Sequence, residues 1–177
     1  MVVILNDKYF DEYISEKELK VAVNRISSEI INDYSDYSNL VIIGVLNGAI
    51  PFMNDIVFKL PENITIDYVK VTSYGDSLKS TGEVKLTLDT GINIEDKDVI
   101  LIDDILDTGL TLSFLKDHFT KKNPRSIRSC FLFYKEDSSL ERPDYSGIKI
   151  GNDFIIGYGL DYAQKGRNIN RILKLAK

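Results

Sequence analysis

Two short runs of apolar, mostly β-branched residues constrain this chain most: Leu40 to Leu46 (LVIIGVL) and Val99 to Ile102 (VILI). A strand with one face in water alternates apolar and polar residues, whereas an unbroken apolar run is covered on both faces, as in a parallel sheet between layers of helix. Each run is followed by a polar turn and then by helical spacing. After the first come Asn47-Gly48-Ala49 and Pro51, which suits a helical first turn, with Phe52, Ile56 and Leu60 on one side of a helix over 51–60. After the second come Asp103-Asp104-Ile105-Leu106-Asp107-Thr108-Gly109-Leu110-Thr111 and a helix carrying Leu112, Leu115 and Phe119. Strand, turn and helix make half of a βαβ unit.

The remaining patterns agree with that reading. Ser15 to Ile31 has apolar residues at Leu19, Val23, Ile26 and Ile30, with Ser15 and Glu18 spaced as a capping box. Ile64, Ile66 and Tyr68, and again Val84, Leu86 and Leu88, alternate as strands joined by Ser73 to Gly82, a segment rich in Gly, Ser and Thr that predicts a mobile surface loop. Ser129 to Tyr134 and Asp153 to Tyr158 predict further strands, and Ile148 to Ile150 a weaker one. The expectation is an α/β chain with a mainly parallel twisted sheet flanked by helices, in one domain, since no repeat or linker divides it.

Composition narrows the function. At 44% hydrophobic and 28% charged over 177 residues, the chain has the apolar material for a core and is not expected to be disordered. Its formal charge of −5 lacks the attraction to phosphate backbones on which nucleic-acid binding leans. One cysteine, Cys130, and one histidine, His118, exclude an intramolecular disulfide and a thiolate or histidine-rich metal centre. The opening MVVILNDKYFDEY has no basic region before its apolar run, and no apolar run reaches a membrane span, so neither a signal peptide nor a membrane segment is expected. The lone cysteine suits a reducing compartment.

In open α/β sheets ligands bind beyond the carboxyl ends of the strands, so the turns after LVIIGVL and VILI are where chemistry is expected. At a helix N-terminus, Thr108, Gly109 and Thr111 offer backbone amides, two hydroxyls and room for close approach, a cradle for a phosphate monoester. Asp103 and Asp104 repel such an anion; they suit a ribose diol or Mg²⁺, a hard cation that selects oxygen. A Walker-B strand would also end in acids, but nothing in the chain matches G-x-x-x-x-G-K-[ST]. A plain helix cap would account for Asp107 and not for two further acids beside it.

The stretch VILIDDILDTGLTL, Val99 to Leu112, resembles the phosphoribosyl-pyrophosphate motif of the type I phosphoribosyltransferases. The resemblance extends to their hypoxanthine-guanine branch through Val45-Leu46-Asn47-Gly48-Ala49, Ser73-Tyr74-Gly75 with Ser80-Thr81-Gly82, Lys135, and Phe154 to Tyr162 followed by Arg167. It implies the type I phosphoribosyltransferase fold, with a small hood built from the terminal segments and a flexible lid. The implied reaction moves the 5-phosphoribosyl group from phosphoribosyl pyrophosphate to N9 of hypoxanthine or guanine, with Mg²⁺, in purine salvage. A homo-oligomer, dimer or tetramer, and a cytoplasmic location are implied with it.

On this resemblance Asp107 exchanges a proton with the base near N7, while Thr108, Gly109, Leu110 and Thr111 cradle the 5′-phosphate. Asp103 and Asp104 meet the ribose hydroxyls and the metal. Asn47 and Gly48 form the pyrophosphate loop, in which the preceding peptide can be cis; relatives often carry Lys at the Asn47 position, so Arg167 and backbone donors take more of the leaving group's charge. Ser73 and Tyr74 belong to the lid. Lys135 would donate to O6 and reject the 6-amino group of adenine, Phe154 would stack on the purine, Ile155 would meet its edge through backbone, and Asp161 would ligate a second metal. The ordinary explanations are a solvated lysine, a core phenylalanine and a surface acid. Two other functions stay open: a non-catalytic sensor of phosphoribosyl pyrophosphate, which would normally carry a nucleic-acid-binding domain or basic surface, and a phosphoribosyltransferase for xanthine.

Overall fold

A computed structural model describes residues 2–73, 84–135 and 142–176. Six strands form the central sheet: β3 (Leu40–Leu46), β4 (Thr65–Ser73), β5 (Val84–Leu88), β6 (Asp98–Leu106), β7 (Ser126–Lys135) and β8 (Tyr145–Ile150). Their spatial order is β5-β4-β3-β6-β7-β8, parallel throughout except for the antiparallel edge strand β5. The expected mainly parallel sheet is therefore present, and LVIIGVL is one of its central strands, buried from Leu40 to Val45.

Three helices flank it: α1 (Glu16–Asp33), α2 (Ile50–Val57) and α3 (Leu110–Thr120). The capping box is formed: the Glu18 amide donates to Ser15 Oγ, and the Ser15 amide donates to Glu18 Oε2 at 2.8 Å. On one face of the sheet Leu19, Val23, Ile26 and Ile30 of α1 and Phe52, Met53 and Ile56 of α2 pack with Ile42, Ile100 and Leu132. On the other, Leu112, Leu115 and Phe119 of α3 pack with Ile43, Val99 and Leu101. Successive strand residues thus feed two opposite cores, which is why the runs contain no polar position.

The second sheet is four-stranded and joins both ends of the chain: β1 (Val3–Leu5), β2 (Lys8–Ile14), β10 (Ile172–Leu175) and β9 (Ile155–Ile156), in the order β1-β2-β10-β9 and antiparallel throughout. It encloses a small core of Phe10, Ile156 and Leu173 and forms the hood.

Several expected boundaries move. The strand beginning VILI runs on to Leu106, because β7 supplies a partner as far as Tyr134, so Asp103 and Asp104 lie inside a strand, not after it. The helix after Pro51 ends at Val57, although Leu60 still packs into the core. The strand expected over 153–158 shrinks to two residues, because Gly157 at φ 102° and Tyr158 at φ 47° turn the chain away. Ile66 and Leu88, named for the alternation that predicts β4 and β5, are 42% and 48% exposed. The lid reading of Ser73 to Gly82 lies outside the described residues apart from Ser73, the last residue of β4.

Candidate active site

The carboxyl ends of β3 and β6 lie side by side and bring two turns together. Gly48 packs so closely on the acidic strand that a Cβ there would sit 1.6 Å from Asp104 Oδ2. Only glycine lets the Asn47-Gly48 backbone reach the acidic pair, and the Leu46–Asn47 peptide is cis. A third segment closes the arrangement: a Cβ on Gly159 would meet Gly48 O at 1.9 Å. Gly48 thus lies between Asp104 on one side and Gly159 on the other.

Both carboxyls of the acidic pair are held above the usual carboxylate range. Burial raises Asp103, and the charge of Asp104 adds to it; burial also raises Asp104, while hydrogen bonds from its neighbours and the positive Arg167 act in the opposite sense. Asp103 Oδ1 accepts from the Asp104 amide at 2.9 Å, and Asp104 Oδ1 from the Ile105 amide at 2.7 Å. Two half-buried acids without a cation facing them directly are costly, and a bound cation or hydroxyl donors would relieve that cost.

Beyond β6 the chain enters α3 through Gly109, which stands at the helix N-terminus at φ 73° with no side-chain cap. Asp107 is therefore not a helix cap, and its carboxylate is free for another task. A pocket of about 60 Å³ lies here, lined by Asp103, Asp107, Thr108, Gly109 and Thr111 together with Leu112 and Phe131. Its polar wall is the predicted phosphate cradle, with Leu110 on the exposed first turn.

Asp107 Oδ1 pairs with Lys135 Nζ at 2.7 Å across the ends of β6 and β7. The lysine side chain is 21% exposed and the aspartate 56%, so this is not a solvated surface charge. Arg167 donates to Gly159 O at 2.7 Å and pairs with Asp161 Oδ1 at 2.6 Å, while Asp161 Oδ2 accepts from the Gln164 amide at 2.7 Å. Phe154 is 41% exposed with its ring perpendicular to Tyr162, and Ile155 beside it is buried.

Among the predicted residues, Asn47, Gly48, Asp103 and Asp104 come together, as do Asp107, Thr108, Gly109, Thr111 and Lys135; Arg167 joins the first group through Gly159. Among the described residues no three His, Cys, Asp or Glu side chains gather to hold a metal, and Asp161, expected at a second metal, is paired with protein groups. Its two oxygens are directed to Arg167 and the Gln164 amide instead. Tyr74 lies outside the described residues. Two carboxylates remain, a donor set that suits Mg²⁺ when substrate oxygens and water complete its shell.

The contact between Gly159 and Gly48, and the hydrogen bond from the Tyr158 hydroxyl to Asp55 of α2 that supports it, were not foreseen. The available signal was the pair of glycines either side of Tyr158, the spacing of a backbone that approaches another chain segment. Cys130 and His118 stand apart from the site: the thiol is fully buried, and burial pushes its pKa up, while His118 Nε2 pairs with Asp89 at 2.9 Å.

A family model described as a phosphoribosyl transferase domain matches residues 10–163. Among curated proteins, the hypoxanthine-guanine phosphoribosyltransferase of Streptococcus mutans is 40% identical over 157 residues, spanning 88% of this chain and 87% of that one. The protein of the same name from Bacillus subtilis is 38% identical over 158 residues, with the same coverage of both chains. A solved hypoxanthine-guanine phosphoribosyltransferase from Bacillus anthracis superposes with a TM-score of 0.87 at 38% identity, over 94% of this chain and 98% of that one. With the parallel sheet and the terminal hood in place, the chain belongs to the phosphoribosyl transferase family.

Proposed function

We propose that the protein transfers the 5-phosphoribosyl group of phosphoribosyl pyrophosphate to N9 of hypoxanthine or guanine, giving inosine or guanosine monophosphate and pyrophosphate in purine salvage. The observation that carries this reading is the pair Asp107 Oδ1 to Lys135 Nζ at 2.7 Å beside the phosphate turn. A 6-oxopurine presents O6 and N7 on one edge. An ammonium and a carboxylate side by side match that edge: the lysine donates to O6, and the aspartate accepts a proton at N7. Adenine would set its 6-amino donor against the ammonium, a mismatch worth a hundredfold or more in kcat/KM where a site is built for the acceptor. The names of the relatives point to the same reaction.

The rest of the site supports the donor. The amides and hydroxyls of Thr108 to Thr111 receive the 5′-phosphate at the N-terminus of α3. Asp103 and Asp104 accept from the ribose 2′- and 3′-hydroxyls. Bond cleavage at the anomeric carbon develops positive charge on the ribose and negative charge on the leaving group, and carboxylates bound to the ribose hydroxyls would stabilise the former. The amides of the Asn47-Gly48 turn, with Arg167 behind Gly159, meet the pyrophosphate; Asn47 brings no charge there, so the guanidinium carries more of the neutralisation. Mg²⁺, held by Asp103 and Asp104 with donor oxygens, would supply further positive charge to the leaving group. Phe154 stacks on the purine and the Ile155 backbone meets its edge. Asp161 orients Arg167 in this structure, and a second metal would have to compete with that pairing.

We extend the reading to a cytoplasmic homo-oligomer, dimer or tetramer. The buried, unpaired Cys130 suits a reducing compartment, and the oligomer is an expectation from the family resemblance; no described helix is long and apolar enough to cross a membrane. The test is a spectrophotometric assay with phosphoribosyl pyrophosphate and Mg²⁺, offering hypoxanthine, guanine, xanthine, adenine and uracil in parallel. Turnover of hypoxanthine and guanine with adenine at least a hundredfold slower is expected. Donor binding without turnover of any base would point to a sensor, and preference for xanthine would reassign the acceptor.

A further inference from the structure

Tyr162 stands between the exposed Phe154 and the first turn of the chain. Its ring meets Phe154 almost at a right angle, centroids 6.0 Å apart at 82°, and leans on Phe10 at 6.1 Å and 53°. Phe10 is completely buried, so this second contact is with a fixed wall. The Tyr162 hydroxyl donates to Asp7 Oδ1 at 2.9 Å, a bond between residues 155 positions apart. Asp7 lies in the tight turn from β1 to β2, where Asn6 adopts φ 53°. The backbone of Tyr162 is also held, by reciprocal bonds with Lys165 of 2.9 and 3.0 Å. The tyrosine is thus held at its backbone, its ring and its hydroxyl, the last two by Phe10 and Asp7 of the N-terminal segment.

Phe154 is in the opposite condition. Its carbonyl accepts from the Leu175 amide at 3.0 Å, which fixes the backbone, but its ring is 41% exposed and Tyr162 is the aromatic partner that limits its rotation. A purine gains most from a stacking ring already in the bound rotamer, because the ordering cost is then met before binding.

We propose that Tyr162 is a positioning residue for the purine, holding the Phe154 ring for stacking, and that Asp7 anchors it, so that the first turn of the hood tunes affinity for the base. This rests on Phe154 being the purine platform. Asp103, Asp104 and the turn 108–111, which are given to the donor above, are not part of this relay, so the effect is expected to fall mainly on the base. An edge-to-face aromatic pair has a worth that corresponds to about three- to tenfold in an equilibrium constant.

The experiment compares Tyr162→Leu, Tyr162→Phe, Asp7→Ala, the Asp7→Ala/Tyr162→Phe double variant and Phe154→Leu, reading KM for hypoxanthine and for phosphoribosyl pyrophosphate separately. At equilibrium it reads dissociation constants for inosine monophosphate and for ribose 5-phosphate, which needs no turnover. Tyr162→Leu is expected to raise KM for the base three- to tenfold with KM for the donor within twofold. Tyr162→Phe, which keeps the ring and is the milder change, should fall between it and the parent and match Asp7→Ala. The double variant should be no worse than either single one, since one bond has been removed in all three. Equal rises for donor and base, or additive losses in the double variant, would overturn the relay and leave a general structural role. If Phe154→Leu leaves KM for the base unchanged, the platform and the proposal fall together. If Phe154→Leu raises it and Tyr162→Leu does not, the platform stands and the positioning role is refuted.

Discussion

Replacing Gly159 by alanine tests how tightly the two halves of the site are joined. The residue has φ 104°, outside the regions that an L side chain adopts readily, and the new methyl would lie 1.9 Å from Gly48 O, 2.9 Å from Gly48 C and 3.1 Å from Pro51 Cδ. The backbone conformation alone costs about 1–3 kcal/mol. Relieving the overlap, which falls on main chain and cannot be solved by a rotamer change, costs about 1–3 kcal/mol more. The sum, about 2–6 kcal/mol, is a large part of the 5–15 kcal/mol by which such proteins are ordinarily stable. With a urea slope of about 2 kcal/mol per M, the unfolding midpoint should fall by about 1–3 M. Gly91 is the control, because nothing lies within 4 Å of its added Cβ and its φ is not in the left-handed range. Gly91→Ala should be neutral or more stable by up to about 1 kcal/mol. Molecules of Gly159→Ala that stay folded must move the Asn47-Gly48 turn off Asp104, so KM for phosphoribosyl pyrophosphate should rise with the loss of stability. If Gly159→Ala and Gly91→Ala unfold within about 0.5 kcal/mol of each other, the contact is not as close as described and the coupling argument fails.

Three further outcomes follow from the charged groups. Hydrogen bonds from Arg125 hold Asp98 below the usual carboxylate range, and Ser126 adds to them. The stability they supply is complete above the unfolded value near pH 4 and is lost as pH falls through the lower folded one; Asp98→Asn should cost about 1–2 kcal/mol, reduced by the exposure of Arg125, with a constant gap to the parent from pH 8 to 5 that narrows below pH 4. Asp103 is shifted the other way, so its penalty grows as pH rises from the unfolded value through the folded one. Asp103→Asn should therefore gain about 0.5–2 kcal/mol at pH 8 and little at pH 4 while donor binding is lost, and a variant less stable than the parent at pH 8 would contradict the burial argument. Asp107→Asn should lower kcat about 10²- to 10⁴-fold with the dissociation constant of the donor little changed; matched losses in both would count against proton exchange with the base.

Local signals carried much of the fold. LVIIGVL, the Ser15–Glu18 box and the apolar spacing of α3 each act within one element, so they can be read without knowing its partners. The phosphate turn was legible for the same reason, since its donors are consecutive. The hood was not: six of the seven residues of KYFDEYI in β2 are charged or aromatic, and its strand character comes from pairing with residues 172–175, which no local pattern records. The length of β6 depended likewise on β7, and the pairing of Asp161 depended on Arg167. Only once Gly159 is seen against Gly48 does the spacing of the two glycines around Tyr158 acquire its meaning.

The pairing of β2 with β10 has a consequence for synthesis. The ribosome delivers β2 well before β10, at about 5–20 residues per second, so the inner edge of β2 waits on the order of ten seconds for its neighbour. Phe10 and Ile14, both buried in the finished protein, lack part of their cover during that interval, and the charges of Lys8, Asp11 and Glu12 along the same strand protect it from pairing with other nascent chains. β9, next to Phe154, pairs within the hood sheet with β10 alone, so it is completed at the same late moment. The phosphate turn lies in a sheet whose strands have all emerged by then. A growing chain therefore completes the sheet that bears the proposed donor cradle before the strand beside the proposed purine platform, so the order of synthesis separates the two in time.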